Sequence, residues 1–239
     1  MAQTFTEWRR ARSTCRGGLI WFLRDLQPGA GWGVVDAGGA AKPCWYLLRR
    51  ALAPIALGIT DEGTNGLALH VVNDRPEPLA ARLELTLWRS GDVRVGHAQA
   101  EVSVPPHGAI ELAAAALFDG FYDLSYAYRF GRPVADVVHA QVITDVPIAE
   151  AFWFPGGWSA AREPDVGLEV SGHASALAIR SRRFAQSVAI DAPGHVASDN
   201  YFHLAPGQVR TIALAGTGRL RATISALNSE VGTRFEVPA

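Results

Sequence analysis

Apolar and polar residues alternate with two different periods along this chain, and the change falls at Pro54. Ahead of it, TFTEWRRARS (Thr4 to Ser13) reads as a helix, and Pro43 to Leu52 reads as a second, amphipathic one. Pro43 stands in its first turn, where a missing N–H costs nothing, and Pro54 ends it. Between the helices, Gly18 to Phe22 has the pattern of a short β run, followed by a loop rich in Gly and Pro. Strand, loop and helix make one βα unit. A parallel strand is stable only with neighbours on both sides, so a lone unit implies partner strands that this sequence does not supply.

From Ile55 the period is two. Gly66 to Asp74, Ala80 to Arg89, Val93 to Val104, Tyr122 to Phe130 and Asp136 to Asp145 alternate apolar with polar residues and are separated by turn formers. In the fourth of these, Tyr122, Leu124, Tyr126, Tyr128 and Phe130 fall on one face, with Asp123, Ser125, Ala127 and Arg129 on the other. Such a row predicts the inner face of a sandwich in preference to a platform for sugar rings. WFPGGWSAAREPD (Trp153 to Asp165) is the second boundary, and further short strands follow it up to Val237, with a turn at Pro206 and Gly207. The expected fold is mainly β: residues 1–53 as the end of a barrel, then two immunoglobulin-like sandwiches over 54–157 and 158–239.

Composition narrows the function classes. With 239 residues, 49% hydrophobic, and a net charge of −1, the chain can bury more than one core and has no basic footprint for nucleic acid. No apolar run reaches the roughly 18 residues of a membrane span, and the first residues lack a signal-peptide core, so the expected location is the cytoplasm. Cys15 and Cys44 read as buried thiols, since neither has a histidine or second cysteine at ligand spacing. The 7 histidines are scattered with no His-x-x-x-His pattern, so neither a metal nor another cofactor is expected. Asp199, Asn200 and His203 lie together but read as turn formers.

The stretch before Pro54 resembles glycoside hydrolase family 2, and within it the bacterial β-mannosidases. The resemblance rests on Gly17, Gly18, Leu19, Trp21 and Asp25, then Pro28, Trp32 and Asp36, then Lys42, Pro43, Tyr46, Arg50 and Ala51. Weaker likeness continues through Phe118 to Gly131 and Ser198 to Gln208. It implies the last strand and helix of a TIM barrel, the C-terminal part of a retaining β-mannosidase, with β-galactosidase or β-glucuronidase as the alternative. A free-standing carbohydrate-binding module is the alternative outside enzymes.

Family members use two glutamates roughly 5 Å apart. The resemblance implies that both come from barrel strands not found here, since the chain has no Asn-Glu pair; no catalytic residue is expected in it. The expected partners are therefore a β-mannoside in the parent enzyme and the missing barrel portion or another chain. Trp21 matches the family's tryptophan that floors the subsite of the cleaved sugar, and its competing reading is a core side chain. Asp25 is expected either to bind sugar hydroxyls or to cap the loop, and Trp32 either to bind sugar or to pin the loop. Phe22 departs from the Gln or Asp that the resemblance implies there, so no polar sugar contact is expected from position 22.

Overall fold

The computed structural model describes residues 1–15 and 17–237, in which two α-helices precede fifteen strands. Helix α2 (Pro43–Ala51) falls where the sequence predicts it, whereas α1 (Ala2–Arg9) stops four residues short of the predicted Ser13, with Arg10 already extended. The chain divides into one unit made of Met1–Arg89 with Arg94–Gly156 and another made of Ser90–Val93 with the residues from Gly157 onward.

In the first unit, β1 (Ile55–Asp61), β2 (Leu67–Asn73) and β5 (Gly108–Ala113) form a three-stranded sheet in the order β1-β2-β5. A second sheet has the order β4-β3-β6-β7, from β3 (Leu79–Arg89), β4 (Val93–Val104), β6 (Val137–Ile143) and β7 (Pro147–Trp153). Period-two alternation explains their packing. Leu79, Ala81, Leu83, Leu85 and Leu87 point from β3 into a core shared with Leu67, Leu69 and Val71 of β2 and Val138, Ala140 and Val142 of β6. Strand β2 is buried on both faces, and α1 packs on its neighbour β1. Gly58 of β1 makes that approach possible: a Cβ there would run into the Thr6 methyl of α1.

The second unit repeats the architecture with its own core. One sheet has the order β12-β10-β14-β15, from β10 (Ala185–Asp191), β12 (Phe202–Leu204), β14 (Arg221–Ser225) and β15 (Thr233–Glu236). The other has the order β11-β13-β9-β8, from β8 (Leu168–His173), β9 (Ala176–Ser181), β11 (His195–Ala197) and β13 (Val209–Gly216). Leu177, Ile179, Val188, Phe202, Leu204, Ile212 and Ile224 meet between them. Gly207 adopts φ 76° in the turn after β12, a left-handed conformation that favours glycine.

Two expected strands are absent. Among the described residues Gly18 to Phe22 joins no ladder, and the β pairing nearby is a parallel bridge from Arg24 to Val35 and an antiparallel one from Val35 to Ala41. The physical reason is the one its pattern implies: a parallel strand without neighbours has nothing to satisfy its backbone. Tyr122 to Phe130 is likewise a loop. The Asp123 carboxylate accepts the backbone N–H of Ala127 at 2.9 Å and of Tyr128 at 3.0 Å, and Tyr126 and Arg129 take φ 58° and 56°. A carboxylate that captures two amides four and five residues on folds the backbone back and prevents extension. The aromatic row is therefore split: Leu124 is buried, Tyr122 packs on Phe118, and Phe130 is 82% exposed.

Candidate functional site

Residues 17–42 form a loop held by a few polar contacts instead of regular structure. Leu23 offers its carbonyl to the N–H groups of Val34 (3.1 Å) and Val35 (2.9 Å), and Asp25 N–H returns to the Val35 carbonyl at 3.0 Å. This folds the chain back on itself and places Asp25, only 8% exposed, inside the loop. Its Oδ1 accepts the Gly33 N–H at 2.6 Å, and Lys42 pairs with its Oδ2 while also donating to the Gly31 carbonyl at 3.2 Å. The Lys42 hydrogen bond, with that of Gly33, holds the Asp25 carboxyl below the ordinary carboxylate range. Gly31 and Gly33 are glycines because a Cβ at either would strike the Asp25 carboxylate. A second turn follows, in which Asp36 Oδ1 accepts the Ala40 N–H at 2.8 Å, and Lys42 leads into α2.

The aromatic residues of this loop face the other way. Trp21 and Trp32 are 85% and 83% exposed, and the Trp21 ring meets Phe22 edge-on at 6.0 Å. Of the three residues expected to contact substrate, two therefore present open indole faces and the third braces the loop that carries them. Flat apolar rings of this kind can stack on the C–H face of a pyranose. Beside them, a groove of about 640 Å³ runs between α1 and the sheet, lined by Trp8, Leu19, Ile20, Val72 and His107 among others.

Sequence reasoning missed the charged cluster that fastens α1 to this sheet. Arg10 donates to Glu7 (3.0 Å), Glu62 (2.8 Å) and Glu111 (3.4 Å), and Arg12 grips Glu111 from outside with two of its nitrogens. Arg9 donates to the Ala51 carbonyl, to the Ala53 carbonyl at 3.0 Å and to Asp74 at 2.7 Å, tying α1 to the end of α2. The run of arginines after Trp8 was the only visible sign, since their partners lie about fifty to a hundred residues away.

In the second unit, Asn200 accepts the Ile190 N–H at 2.8 Å and donates to its carbonyl at 3.0 Å, Asp199 pairs with Arg210 at 2.7 Å, and His203 accepts the Ser187 N–H at 3.0 Å. All three are committed to turns and strand ends. Among the described residues no group of three or more His, Cys, Asp and Glu is arranged to hold a metal ion, and no helix is long and apolar enough to cross a membrane.

The comparisons with known proteins agree with this architecture. The Ig_mannosidase family, an Ig-fold domain, matches residues 162–231. β-Mannosidase B of Aspergillus niger is 24% identical over 233 residues, covering 87% of this chain and 27% of the relative. The crystal structure of the β-D-mannosidase of Dictyoglomus thermophilum superposes with a TM-score of 0.76 at 19% identity, over 95% of this chain and 28% of that one. This chain is β-mannosidase-like. Over most of its length it is similar to part of these β-mannosidases, and residues 162–231 match the Ig-fold domain of the Ig_mannosidase family. An exo-chitosanase of Amycolatopsis orientalis, CsxA, shares the fold with a TM-score of 0.67 at 15% identity, over 98% of this chain and 33% of that one. The β-mannosidase-like chain spans about a quarter of the length of the curated relatives whose names it matches over most of its own length.

Proposed function

We propose that this chain is the portion of a retaining β-mannosidase that supplies the end of the barrel, residues 1–53, and two accessory immunoglobulin-like sandwiches, 54–157 and 158–239. The observation that supports the reading most is the braced loop: Asp25, Lys42, Gly31 and Gly33 are spent on holding a segment whose two tryptophans stay open to solvent. Open indole faces of this kind are what stacking on a sugar ring requires. Trp21 then floors the subsite of the cleaved sugar, Trp32 borders it, and Asp25 acts on the sugar only through the loop it shapes. The hydrolytic glutamates, an acid/base and a nucleophile, belong to the complementary barrel portion, whether in the same polypeptide or another chain. The substrate is a terminal β-mannoside.

Two measurements test this. The purified chain should not turn over aryl β-mannosides above a no-enzyme control, and turnover that survives Trp21→Ala would sink the reading. In a full-length relative with the same strand, the matching tryptophan-to-alanine change should cost roughly 1–3 kcal/mol of transition-state binding, the scale of aromatic stacking, with little loss of melting temperature. A variant that melts early yet keeps its turnover per folded molecule would make Trp21 a packing residue instead.

A second reading, a non-catalytic carbohydrate-binding module, is favoured by one observation. Phe121, Tyr128 and Phe130 expose neighbouring rings, Phe121 edge-on to Tyr128 at 5.4 Å and Tyr128 stacked near Phe130 at 6.1 Å. Calorimetric binding of mannobiose or mannan by the chain alone, lost in Phe130→Ala and kept in Trp21→Ala, would favour the module over the enzyme portion.

A further inference from the structure

His70, on β2, is the most deeply buried imidazole of the first unit, 1% exposed and set under the arginines that follow α1. Its surroundings determine its tautomer. The Thr60 hydroxyl lies 2.7 Å from Glu62 Oε1 and 2.7 Å from His70 Nε2. It has one proton to give. Glu62 is held ionised, first by this hydroxyl and then by Arg10 and Arg12, so its oxygen can only accept and the Thr60 proton goes to it. Thr60 Oγ1 must then accept from His70, which places the ring proton on Nε2 and leaves Nδ1 bare. That Nδ1 has no hydrogen-bond donor and faces Glu111 Oε2 at 3.6 Å, a lone pair turned towards a carboxylate.

The charges around the ring are unequal. Glu7 and Arg10 face it from the α1 side, Glu62 from the end of β1 and Glu111 from β5, and Arg12 pairs with Glu62 and Glu111 from the surface. Three carboxylates oppose two guanidiniums. A proton on Nδ1 would restore neutrality and give Glu111 a direct partner across the His70 and Glu111 register pair. It would also set a buried cation against Arg10, and would compete with Arg12, whose two bonds to Glu111 lie at the surface.

We propose that His70 is an acid-sensitive latch: the closed form, with Nδ1 bare and buried beside Arg10, excludes a proton that the ring takes up once α1 lifts from the outer face of the sheet, so acid releases α1. The inference does not depend on the assignment of Trp21, although the segment carrying Trp21 and Trp32 is tethered at one end by α1. Burial, and after it Arg10, push the His70 pKa below its ordinary value of 6.5. The closed form therefore refuses a proton that an open form, with the ring in water, accepts. The latch is fully closed above the ordinary value and weakens as pH falls below it, down to the lower pKa of the closed form. At pH 5.5, one unit below the ordinary value, the open form gains by at most about tenfold.

Hydrogen exchange on the whole chain tests this, with opening constants taken after correction for intrinsic rates. Amides of α1 should open more often at pH 5.5 than at pH 7.5, by at most about tenfold, a window in which carboxylates of ordinary or lowered pKa do not titrate. In His70→Gln, whose side-chain amide can donate to Thr60 as Nε2 does, the pH dependence should vanish. In His107→Gln, which alters the histidine lining the neighbouring groove, it should persist. An unchanged slope in His70→Gln, no slope in the wild type, or loss of the slope in His107→Gln would each overturn the latch. If His70→Gln does not fold, nitrogen NMR of the wild type decides. The ring should be the Nε2–H tautomer at pH 7.5 and gain its second proton together with α1 opening; an Nδ1–H tautomer, or charging without opening, would overturn the proposal.

Discussion

Asp25 is the residue on which the loop before α2 depends, because its carboxylate is the one group that touches both Gly33 and Lys42. Asp25→Asn keeps the shape but loses the charge, leaving Lys42 without its counter-ion beside the Gly31 carbonyl. The expected result is faster cleavage by protease between residues 23 and 42, with α1 and the strands still protected; an unchanged digestion pattern would mean that the backbone bonds of Leu23 and Val35 suffice. Acid should act the same way. Asp25 has a lowered pKa, so its contribution is present above the ordinary value of 3.8 and is lost as pH falls through the folded value. Trp21, Asp25 and Trp32 were singled out in the sequence through the family resemblance of the stretch that holds them, and their role toward a sugar is a proposal. The roles within the group were not legible, because whether a carboxylate faces a ligand or a lysine depends on how a loop folds back, and glycine spacing alone does not encode that.

At the scale of elements, helix α1 and strand β1 meet through one glycine. A methyl at position 58 would strike the Thr6 side chain, so Gly58→Ala should lift the helix and cost about 1–3 kcal/mol, the usual range for overpacking. Thr6→Ser removes the methyl in question while keeping the hydroxyl, and should recover most of that loss in the double variant. Urea melts of the four proteins of this cycle give the coupling, and a cost that is the same in both backgrounds would show that Gly58 is needed for strand geometry alone. The two helices were visible in the sequence from their spacing and from Pro43. Strands β3, β4 and β6 were visible from alternation. The loop at Tyr122 to Phe130 was misread because period two records where apolar residues could point in an extended chain, while Asp123 and the left-handed Tyr126 and Arg129 keep the chain from extending. Gly18 to Phe22 failed for the opposite reason, since its composition suits a strand but its pairing requires strands that this sequence lacks.

For the whole molecule, each unit has a separate core, one centred on the leucines of β3 and the other on Phe202, Leu204 and Ile212. That the chain is mainly β and built from sandwiches could be read from the sequence, because burial on one face per strand is a local rule. The fastening of α1 by Arg9, Arg10 and Arg12 could not, because ion pairs between distant residues leave no periodic trace. Separate cores make a prediction about cooperativity. Leu85→Ala and Ile212→Ala each empty a fully buried leucine- or isoleucine-sized space and should each cost about 2–5 kcal/mol of the stability of the unit that holds them. Because the two sites share no packed neighbours among the described core residues, the costs should add. Hydrogen exchange assigns each loss. Leu85→Ala should raise the exchange of β2, β3 and β6 and leave β9, β10 and β13 near wild-type protection, and Ile212→Ala should do the reverse. If either substitution deprotects both sets of strands to the same degree, the chain unfolds as one cooperative block and the two cores are not thermodynamically separate.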